Sequence, residues 1–325
     1  MPYLTFQKNT AIFILLTLFI TGSCSSGNKN SGNAELNILT INLLFSELTD
    51  RSARLAEIAN FVKKKNDASD PVDIILLQEV VGGLLSGTSN SSVDLLNLLA
   101  AKGLTYHIYY RLSNGLPAVF QEGNAILSRH EILSTNYRKL PVVSEEINED
   151  LQITLRQEII MARIKVIGFG NINVYNVHFC AYCDPAGRME QTRAAMDFVE
   201  SSSSLINNNS AVILGGDFNI DTVIENDLTS YEFITDDSGF IDTYALFNKC
   251  IVCCSTDFGY SGCTYAVSGN PYAVPLFPGQ LAEIGRIDYI FINGAETVSS
   301  DVVFNEYPWV SDHSGVLTKV KLNYN

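Results

Sequence analysis

Short apolar runs recur along the chain from residue 36 onward. Residues 36–44 (LNILTINLL) and 72–80 (VDIILLQEV) are rich in β-branched residues and bounded by polar segments, which predicts buried strands. Runs of the same character predict further strands at residues 105–110, 124–129, 152–167, 171–179, 211–220, 286–293 and 315–322. Strands are therefore expected to dominate the chain.

Helical spacing of apolar residues is found in fewer segments, each between two predicted strands. Asp50 is a residue type that caps helix N-termini. The apolar residues that follow it at helical spacing are Leu55, Ile58, Phe61 and Val62. Helices are also predicted at residues 91–102 and 189–200. Successive strands with a few helices between them indicate an α/β fold with two packed sheets and helices outside them.

The first 35 residues differ in character from the rest of the chain. A basic start precedes the uncharged run 11–22, which is shorter than the ~20 residues that span a bilayer. Small residues follow, so residues 1–23 are predicted to be an export signal. It resembles a bacterial lipoprotein signal, in which Cys24 would be lipidated, and a plain secretory signal is the alternative. Residues 24–35, rich in Ser, Gly and Asn, predict a flexible tether, and residues 36–325 a single domain.

Charge narrows the classes of ligand. The chain has 21 basic and 35 acidic residues and a net charge of −14. Such a protein has no bulk attraction to a nucleic-acid backbone. A phosphate ligand would therefore need a bound cation between it and the carboxylates.

Six cysteines follow Cys24 in the chain that would remain after removal of the predicted signal. Besides Cys24 they are Cys180, Cys183, Cys250, Cys253, Cys254 and Cys263. An even number in an exported chain predicts disulfides. The two C-x-x-C pairs could bind zinc instead, but the adjacent Cys253 and Cys254 favour disulfides. The spacing leaves the pairing open.

Polar residues cluster at the ends of the predicted strands. They are Asn42, Glu79, Asn176, His178, Asp217, Asn219, Asp288, Asp312 and His313. Residues two apart in a strand face the same side, so Asn176 and His178 are expected to point the same way. Carboxylates are costly to bury without a partner. Several converging carboxylates with amide and imidazole groups predict a hard divalent cation, Mg²⁺ first and Mn²⁺ or Ca²⁺ as alternatives.

The order of these motifs resembles that of the endonuclease/exonuclease/phosphatase superfamily, the deoxyribonuclease I-like proteins. An Asn in the first strand is followed by LLQEV, NVHF, GGDFN, RIDY and a terminal SDH. The resemblance covers residues 36–322. It implies a four-layer α-β-β-α sandwich, in which helices flank two packed, mostly antiparallel sheets. It also implies metal-dependent hydrolysis of a phosphate ester.

The resemblance implies a metal-binding group and a water-activating group. Glu79 would be the principal Mg²⁺ ligand, assisted by Asn42, with Asp312 a further carboxylate near the ion. Asp217 would orient or deprotonate the attacking water, and Asn219 would hold a phosphate oxygen.

Three further residues receive roles from the same resemblance. His178 would bind the phosphate or protonate the leaving group. Asp288 would orient His313, which would contact the scissile phosphate. A His paired with an Asp keeps its proton and its orientation, which suits a cationic phosphate contact.

Two features of the sequence bear on the class of substrate. Residues 122–129 (EGNAILSR) and 262–289 resemble neutral-sphingomyelinase-like members, and no stripe of Lys and Arg would follow a nucleic acid. These signals predict a monomeric sphingomyelinase- or phospholipase C-like hydrolase of phospholipid head groups. It would be held at the bacterial cell envelope through lipidated Cys24, or secreted.

Alternatives remain open from the sequence. They are a secreted deoxyribonuclease I-like endonuclease acting on nucleic acid, a sugar or inositol phosphatase, and a surface binding lipoprotein without catalysis. The segment 272–277, with Tyr272, Val274, Leu276 and Phe277, is predicted either to dip into a membrane interface or to cover a sheet edge.

Overall fold

The structure is a computed structural model. It describes residues 34–45, 50–116, 118–143, 145–148, 151–153, 155–204, 210–250, 252–274 and 283–322. The predicted signal, most of the predicted tether, and residues 276 and 277 lie outside these ranges. None of the helices in the described ranges has the length and apolar character needed to cross a membrane.

Strands outnumber helices in the described chain, as the apolar runs predict. In chain order the elements are β1 (Ala34–Asn42), α1 (Arg51–Asp67), β2 (Val72–Gly82), α2 (Ser91–Ala101), β3 (His107–Leu116), β4 (Phe120–Ser128), β5 (Glu131–Lys139), β6 (Glu145–Asn148), β7 (Leu151–Ile153), β8 (Glu158–Val166), β9 (Gly170–His178), α3 (Pro185–Ser204), β10 (Val212–Asp217), α4 (Glu225–Glu232), β11 (Ile241–Asp242), α5 (Thr243–Asn248), β12 (Asp288–Asn293), β13 (Ala295–Val303) and β14 (Gly315–Leu322).

Most of these strands form two six-stranded sheets. The first has the order β13-β14-β1-β2-β4-β3, and the second has the order β11-β12-β10-β9-β8-β5. Each sheet holds one parallel pair, β1 with β2 and β10 with β9. The other neighbours are antiparallel. The two sheets and their flanking helices confirm the predicted α-β-β-α fold class.

Alternation along the central strands builds the layers. Ile38 and Ile74 face the second sheet and pack with residues such as Ile213, whereas Leu39 and Ile75 face α1 and α2. A third apolar cluster lies between the second sheet and α3. Each such side chain stabilises the fold by roughly 1.5–3 kcal/mol through burial. Strands buried on both faces explain why the sequence shows continuous apolar runs there.

One predicted strand is wrong in extent. Residues 152–167 were expected to form a single strand, but β7 ends at Ile153 and β8 begins at Glu158. The two segments have different partners, since β7 pairs with β6 and β8 pairs with β5 and β9. Arg156, Gln157 and Glu158 interrupt the apolar residues where the chain changes partner.

The six cysteines after Cys24 form three disulfides in the structure. The pairs are Cys180–Cys183, Cys250–Cys253 and Cys254–Cys263. This pairing agrees with the prediction of disulfides rather than zinc sites. Cys254–Cys263 closes the loop that leads directly into Thr264 and the candidate site.

Candidate active site

The carboxyl ends of the two parallel strand pairs carry the predicted site residues. Asn42 ends β1, His178 ends β9 and Asp217 ends β10. Asp217 lies opposite His178 on one side and opposite Asp288, the first residue of β12, on the other. Strand pairing therefore sets three of the polar groups side by side before any side-chain contact is considered.

A bulge in β2 aims Glu79 at this cluster. The register between β2 and β4 shifts between Leu77 and Val80, and Glu79 has a φ of 53°. Gln78 instead points between the sheets, where its Nε2 donates to Asn176 Oδ1 at 2.6 Å. Bulges commonly redirect a side chain in this way. Glu79 is thereby freed from strand alternation and faces the strand ends.

The amide of Asn42 joins two of the carboxylates. Its Nδ2 lies 3.0 Å from Glu79 Oε1 and 3.0 Å from Asp217 Oδ2, and donates to both. Asn42 Oδ1 accepts from Leu44 N at 2.9 Å, which fixes the orientation of the amide. Glu79 Oε2 accepts from Phe45 N at 2.7 Å. The first strand and the loop after it thus hold Glu79 in place.

Asp217 is held by the turn of the GGDFN motif. Its Oδ1 accepts from Asn219 N at 3.0 Å, and Asn219 Nδ2 donates to Phe179 O at 3.0 Å. Gly216 before it has a φ of 142°, and a Cβ there would lie 2.0 Å from Val177 O. Glycine is required because β9 approaches the backbone so closely.

His178 faces three carboxylates. Its Nε2 lies 3.7 Å from Asp217 Oδ2 and 4.0 Å from Glu79 Oε1. Its Nδ1 lies 3.9 Å from Glu122 Oε1. Burial opposes a charge on the imidazole, but the carboxylates outweigh burial and raise the pKa of His178 to about 9. His178 is therefore a cationic donor at neutral pH.

His313 and Asp288 form a buried pair. Asp288 Oδ2 lies 2.8 Å from His313 Nδ1, and His313 Nε2 lies 3.8 Å from Asp217 Oδ2. Burial opposes the charge on His313, but Asp288, Asp217 and Asp312 keep its pKa well above the ordinary value. Burial raises the pKa of Asp288 to about 6. The pair therefore directs a charged Nε2–H toward Asp217.

Asp312 adds a further carboxylate next to His313. Its Oδ1 accepts from Ser311 Oγ at 3.0 Å. Burial raises the pKa of Asp312. Burial also raises the pKa of Glu79, and the negative charge of Asp312 adds to that rise. These two buried acidic groups therefore repel each other, and a cation bound between them would reduce the repulsion.

All eight predicted site residues meet in this cluster. Several contributors were not singled out from the sequence, among them Glu122 beside His178 and Thr264 at Asp288. Thr264 Oγ1 accepts from Asp288 N at 3.1 Å, and the Tyr265 ring lies 4.9 Å from the His313 ring. Glu122 and the buried Asn124 lie two apart in β4. This alternation is the signal that could have found Glu122.

The donor chemistry fits a divalent cation. Five carboxylates, on Glu79, Glu122, Asp217, Asp288 and Asp312, surround two imidazoles, which leaves an excess of negative charge. Hard cations take such oxygen ligands. Ligand atoms of Asp217, Asp288 and His313 also lie within 4.8 Å of one another. His313 is a poor ligand while both of its ring nitrogens are protonated.

A sequence comparison identifies the family. Residues 39–313 match the profile of the Endonuclease/Exonuclease/phosphatase family. The chain belongs to this family. Family members hydrolyse phosphate esters and typically use a divalent metal. A search of the curated proteins finds no significant match to the chain.

Solved structures of the family share the fold of this member. One is an endonuclease/exonuclease/phosphatase from Beutenbergia cavernae DSM 12333, with a TM-score of 0.65 and 22% identity, covering 89% of this chain and 72% of that chain. A family protein from Bacteroides thetaiotaomicron has a TM-score of 0.61 and 17% identity, covering 90% and 97%. D. rerio TDP2 complexed with single strand DNA product has a TM-score of 0.59 and 14% identity, covering 88% and 99%.

Proposed function

We propose that this family member is a metal-dependent phosphodiesterase in which water attacks the phosphorus atom. The observation that carries the proposal is the single network from Glu79 through Asn42 to Asp217, with two protonated histidines facing Asp217. A phosphodiester anion repels an attacking oxygen, so catalysis needs positive charge around it. The two histidines supply part of that charge.

The metal would be held by Glu79, with Asn42 and Asp312 beside it. When bound, Mg²⁺ would screen the phosphate charge and stabilise the transition state. Protons compete for Glu79, since burial raises its pKa. Metal binding is therefore expected to weaken at acidic pH.

The remaining residues orient water, phosphate and proton. Asp217 takes the proton of the attacking water, and the Nε2–H of His313 contacts a phosphate oxygen. Protonated His178 gives its proton to the leaving oxygen as the P–O bond to the leaving group breaks. Asp288 keeps His313 protonated and oriented. Asn219 is the further amide that holds a phosphate oxygen once the substrate is in place.

For the substrate we propose a phospholipid head group. The support is the resemblance of residues 122–129 and 262–289 to sphingomyelinase-like proteins, together with the net charge of −14. A nuclease is the second candidate, because a fold neighbour was solved with a single-strand DNA product. The bound cation would offset the acidity of the chain toward either substrate.

A substrate panel tests the proposal. The protein is assayed with sphingomyelin, phosphatidylcholine, plasmid DNA and inositol phosphates, with Mg²⁺ and with chelator. Release of phosphocholine only with Mg²⁺ supports the proposal, and nicking of plasmid alone replaces it with the nuclease. If no substrate is hydrolysed and Glu79→Gln leaves ligand binding unchanged, a binding protein without catalysis is indicated.

We also propose that the chain is an exported lipoprotein. The support is the sequence of residues 1–24, which ends in small residues and Cys24. Metabolic labelling with a radioactive fatty acid is expected to mark the wild type and not Cys24→Ser. Equal labelling of both proteins would contradict lipidation at Cys24.

A further inference from the structure

Two loops at the edge of the first sheet expose a cluster of large aliphatic side chains. Leu84 and Leu85 follow β2, Leu116 is the last residue of β3, and Val119 lies in the connection between β3 and β4. Their exposed fractions are 83%, 66%, 68% and 42%. We infer that these four residues, here called the leucine platform, insert into the surface of a zwitterionic phospholipid bilayer. The inference rests on the proposed hydrolysis of lipid head groups.

Backbone contacts make the leucine platform a fixed surface. Leu84 N donates to Ala118 O at 3.0 Å, and Leu85 N donates to Val119 O at 2.9 Å. Gly83 has a φ of 97°, and a Cβ there would lie 2.7 Å from the Val119 carbonyl carbon and oxygen. The two loops are therefore joined by hydrogen bonds at a glycine that permits close approach. These hydrogen bonds hold the backbone of both loops in place, so the four apolar side chains are kept at the surface.

The platform continues the strands that carry the site. Leu84 lies five residues beyond Glu79, at most about 18 Å along the chain. In the β2–β4 ladder, Val81 pairs with Glu122, the carboxylate that faces His178. The Phe120 ring next to Val119 lies 6.2 Å from the ring of Phe45, whose N–H bonds Glu79. A bilayer seated on the platform would thus present its head groups near the site.

The charge of the protein and of its two platform loops indicates which type of bilayer they would bind. Residues 80–93 and 112–121 contain no Asp, Glu, Lys or Arg, although the chain has a net charge of −14. An acidic protein is repelled by anionic lipids, which attract basic segments. Neutral loops with exposed leucines bind by burying apolar area alone. The occupant that fits is therefore a zwitterionic surface, such as phosphatidylcholine with sphingomyelin.

The test separates bilayer binding from hydrolysis. Full-length Leu84→Ser/Leu85→Ser and wild-type protein are sedimented with phosphatidylcholine–sphingomyelin vesicles in the presence of chelator. Loss of both leucines is expected to lower partitioning at least about tenfold. Burial of one leucine side chain contributes more binding free energy than a tenfold change in affinity requires. Hydrolysis of the soluble diester bis(p-nitrophenyl) phosphate with Mg²⁺ is expected to stay within about twofold.

Ile167 provides the matched control. It is 86% exposed and lies in the turn between β8 and β9. That turn is about 26 Å along β9 from His178, at the other end of the strand. Ile167→Ser is expected to change neither partitioning nor diester hydrolysis. Any contribution of the apolar run at residues 11–22 is common to all variants.

A fluorescence experiment gives a second readout on folded protein. Leu85→Trp adds a tryptophan to a chain that has one, Trp309. Its emission is expected to shift to shorter wavelength with vesicles and to be quenched by brominated phosphatidylcholine. Lack of quenching beyond that of wild type would overturn the insertion of the platform.

Other outcomes also decide the matter. Unchanged partitioning of Leu84→Ser/Leu85→Ser, or stronger binding to phosphatidylglycerol vesicles, overturns the inference. So does a wild-type dimer that becomes a monomer in this variant, because a second copy would then cover the platform. Diester hydrolysis without vesicle binding rejects the platform and retains the phosphodiesterase. Platform-dependent binding without any hydrolysis rejects the proposed function and retains the platform.

Discussion

Protonation of two histidines depends on a few neighbouring carboxylates. Burial alone would lower the pKa of His178 and His313, yet acidic groups raise both. The cationic forms are thus present below the raised pKa and are lost as the pH rises through it. Glu122 is one of the carboxylates that keep His178 charged.

Glu122→Gln is therefore expected to move the alkaline limb of the pH profile. In the wild type, activity that needs charged His178 should fall as the pH rises past about 9. Loss of the Glu122 charge lowers the pKa of His178, so the fall should begin at a lower pH. Profiles of kcat/KM against pH measure this shift, and Glu131→Gln at the exposed start of β5 is the control. An unmoved limb would show that Glu122 does not act on His178.

Glu79→Gln is expected to reduce Mg²⁺ affinity by at least about tenfold. The change removes the charge of the principal proposed ligand and nearly preserves its shape. Isothermal titration with MgCl₂ measures the effect, with Asp288→Asn as the comparison. If Asp288→Asn loses the affinity and Glu79→Gln keeps it, the ion belongs to Asp217, Asp288 and His313 instead.

The sequence predicts some strands more closely than others. The strands β1, β2, β9 and β10 are buried on both faces, so the apolar runs predict their positions, with ends that differ by up to three residues. β5 and β13 were not predicted, because both lie at or next to sheet edges and most of their side chains are exposed or half-buried. An exposed edge strand leaves no apolar run to detect.

The candidate site follows the same logic. Asn42, His178 and Asp217 lie near the ends of predicted strands and end the observed ones, so motif order is enough to place them. The spacing of Glu122 and Asn124 places both residues on one face of β4, but the contact of Glu122 with His178 joins two different sheets and does not follow from that spacing. The bulge that turns Glu79 toward the site is likewise a property of β2–β4 pairing. Local sequence does not specify which distant strand will lie opposite.

Close packing of β9 on β10 makes Gly216 a structural requirement. Gly216→Ala should destabilise the protein by more than about 3 kcal/mol, because the Cβ would collide with Val177 backbone atoms. Gly168→Ala is the matched control, since Gly168 has a φ of 83° and a Cβ added there would meet no atom within 4 Å. It should cost about 1–2 kcal/mol from the left-handed backbone alone. Urea unfolding measures both, and equal costs would contradict the steric reason.

At the scale of the molecule, the site concentrates negative charge in a chain that is already acidic. Mg²⁺ at about 100 times its Kd should stabilise the folded state by about 2.7 kcal/mol and raise Tm by roughly 5–10 °C. Calorimetry with MgCl₂, with NaCl at equal ionic strength as control, measures the shift. An equal rise with NaCl would mean that general screening suffices. Glu79→Gln is expected to lose most of the Mg²⁺-specific rise.

Strand β1 lies between β2 and β14, and β14 is synthesised long after β1. Ala34 pairs with Leu322 and Thr40 with Val316, so more than 270 residues separate the two strands in the chain. During synthesis the edge of β1 therefore stays open until β14 leaves the ribosome. Such distant pairing slows folding and leaves an unpaired, aggregation-prone strand edge in incomplete chains. Chains that stop short of β14 are expected to need a chaperone or be degraded.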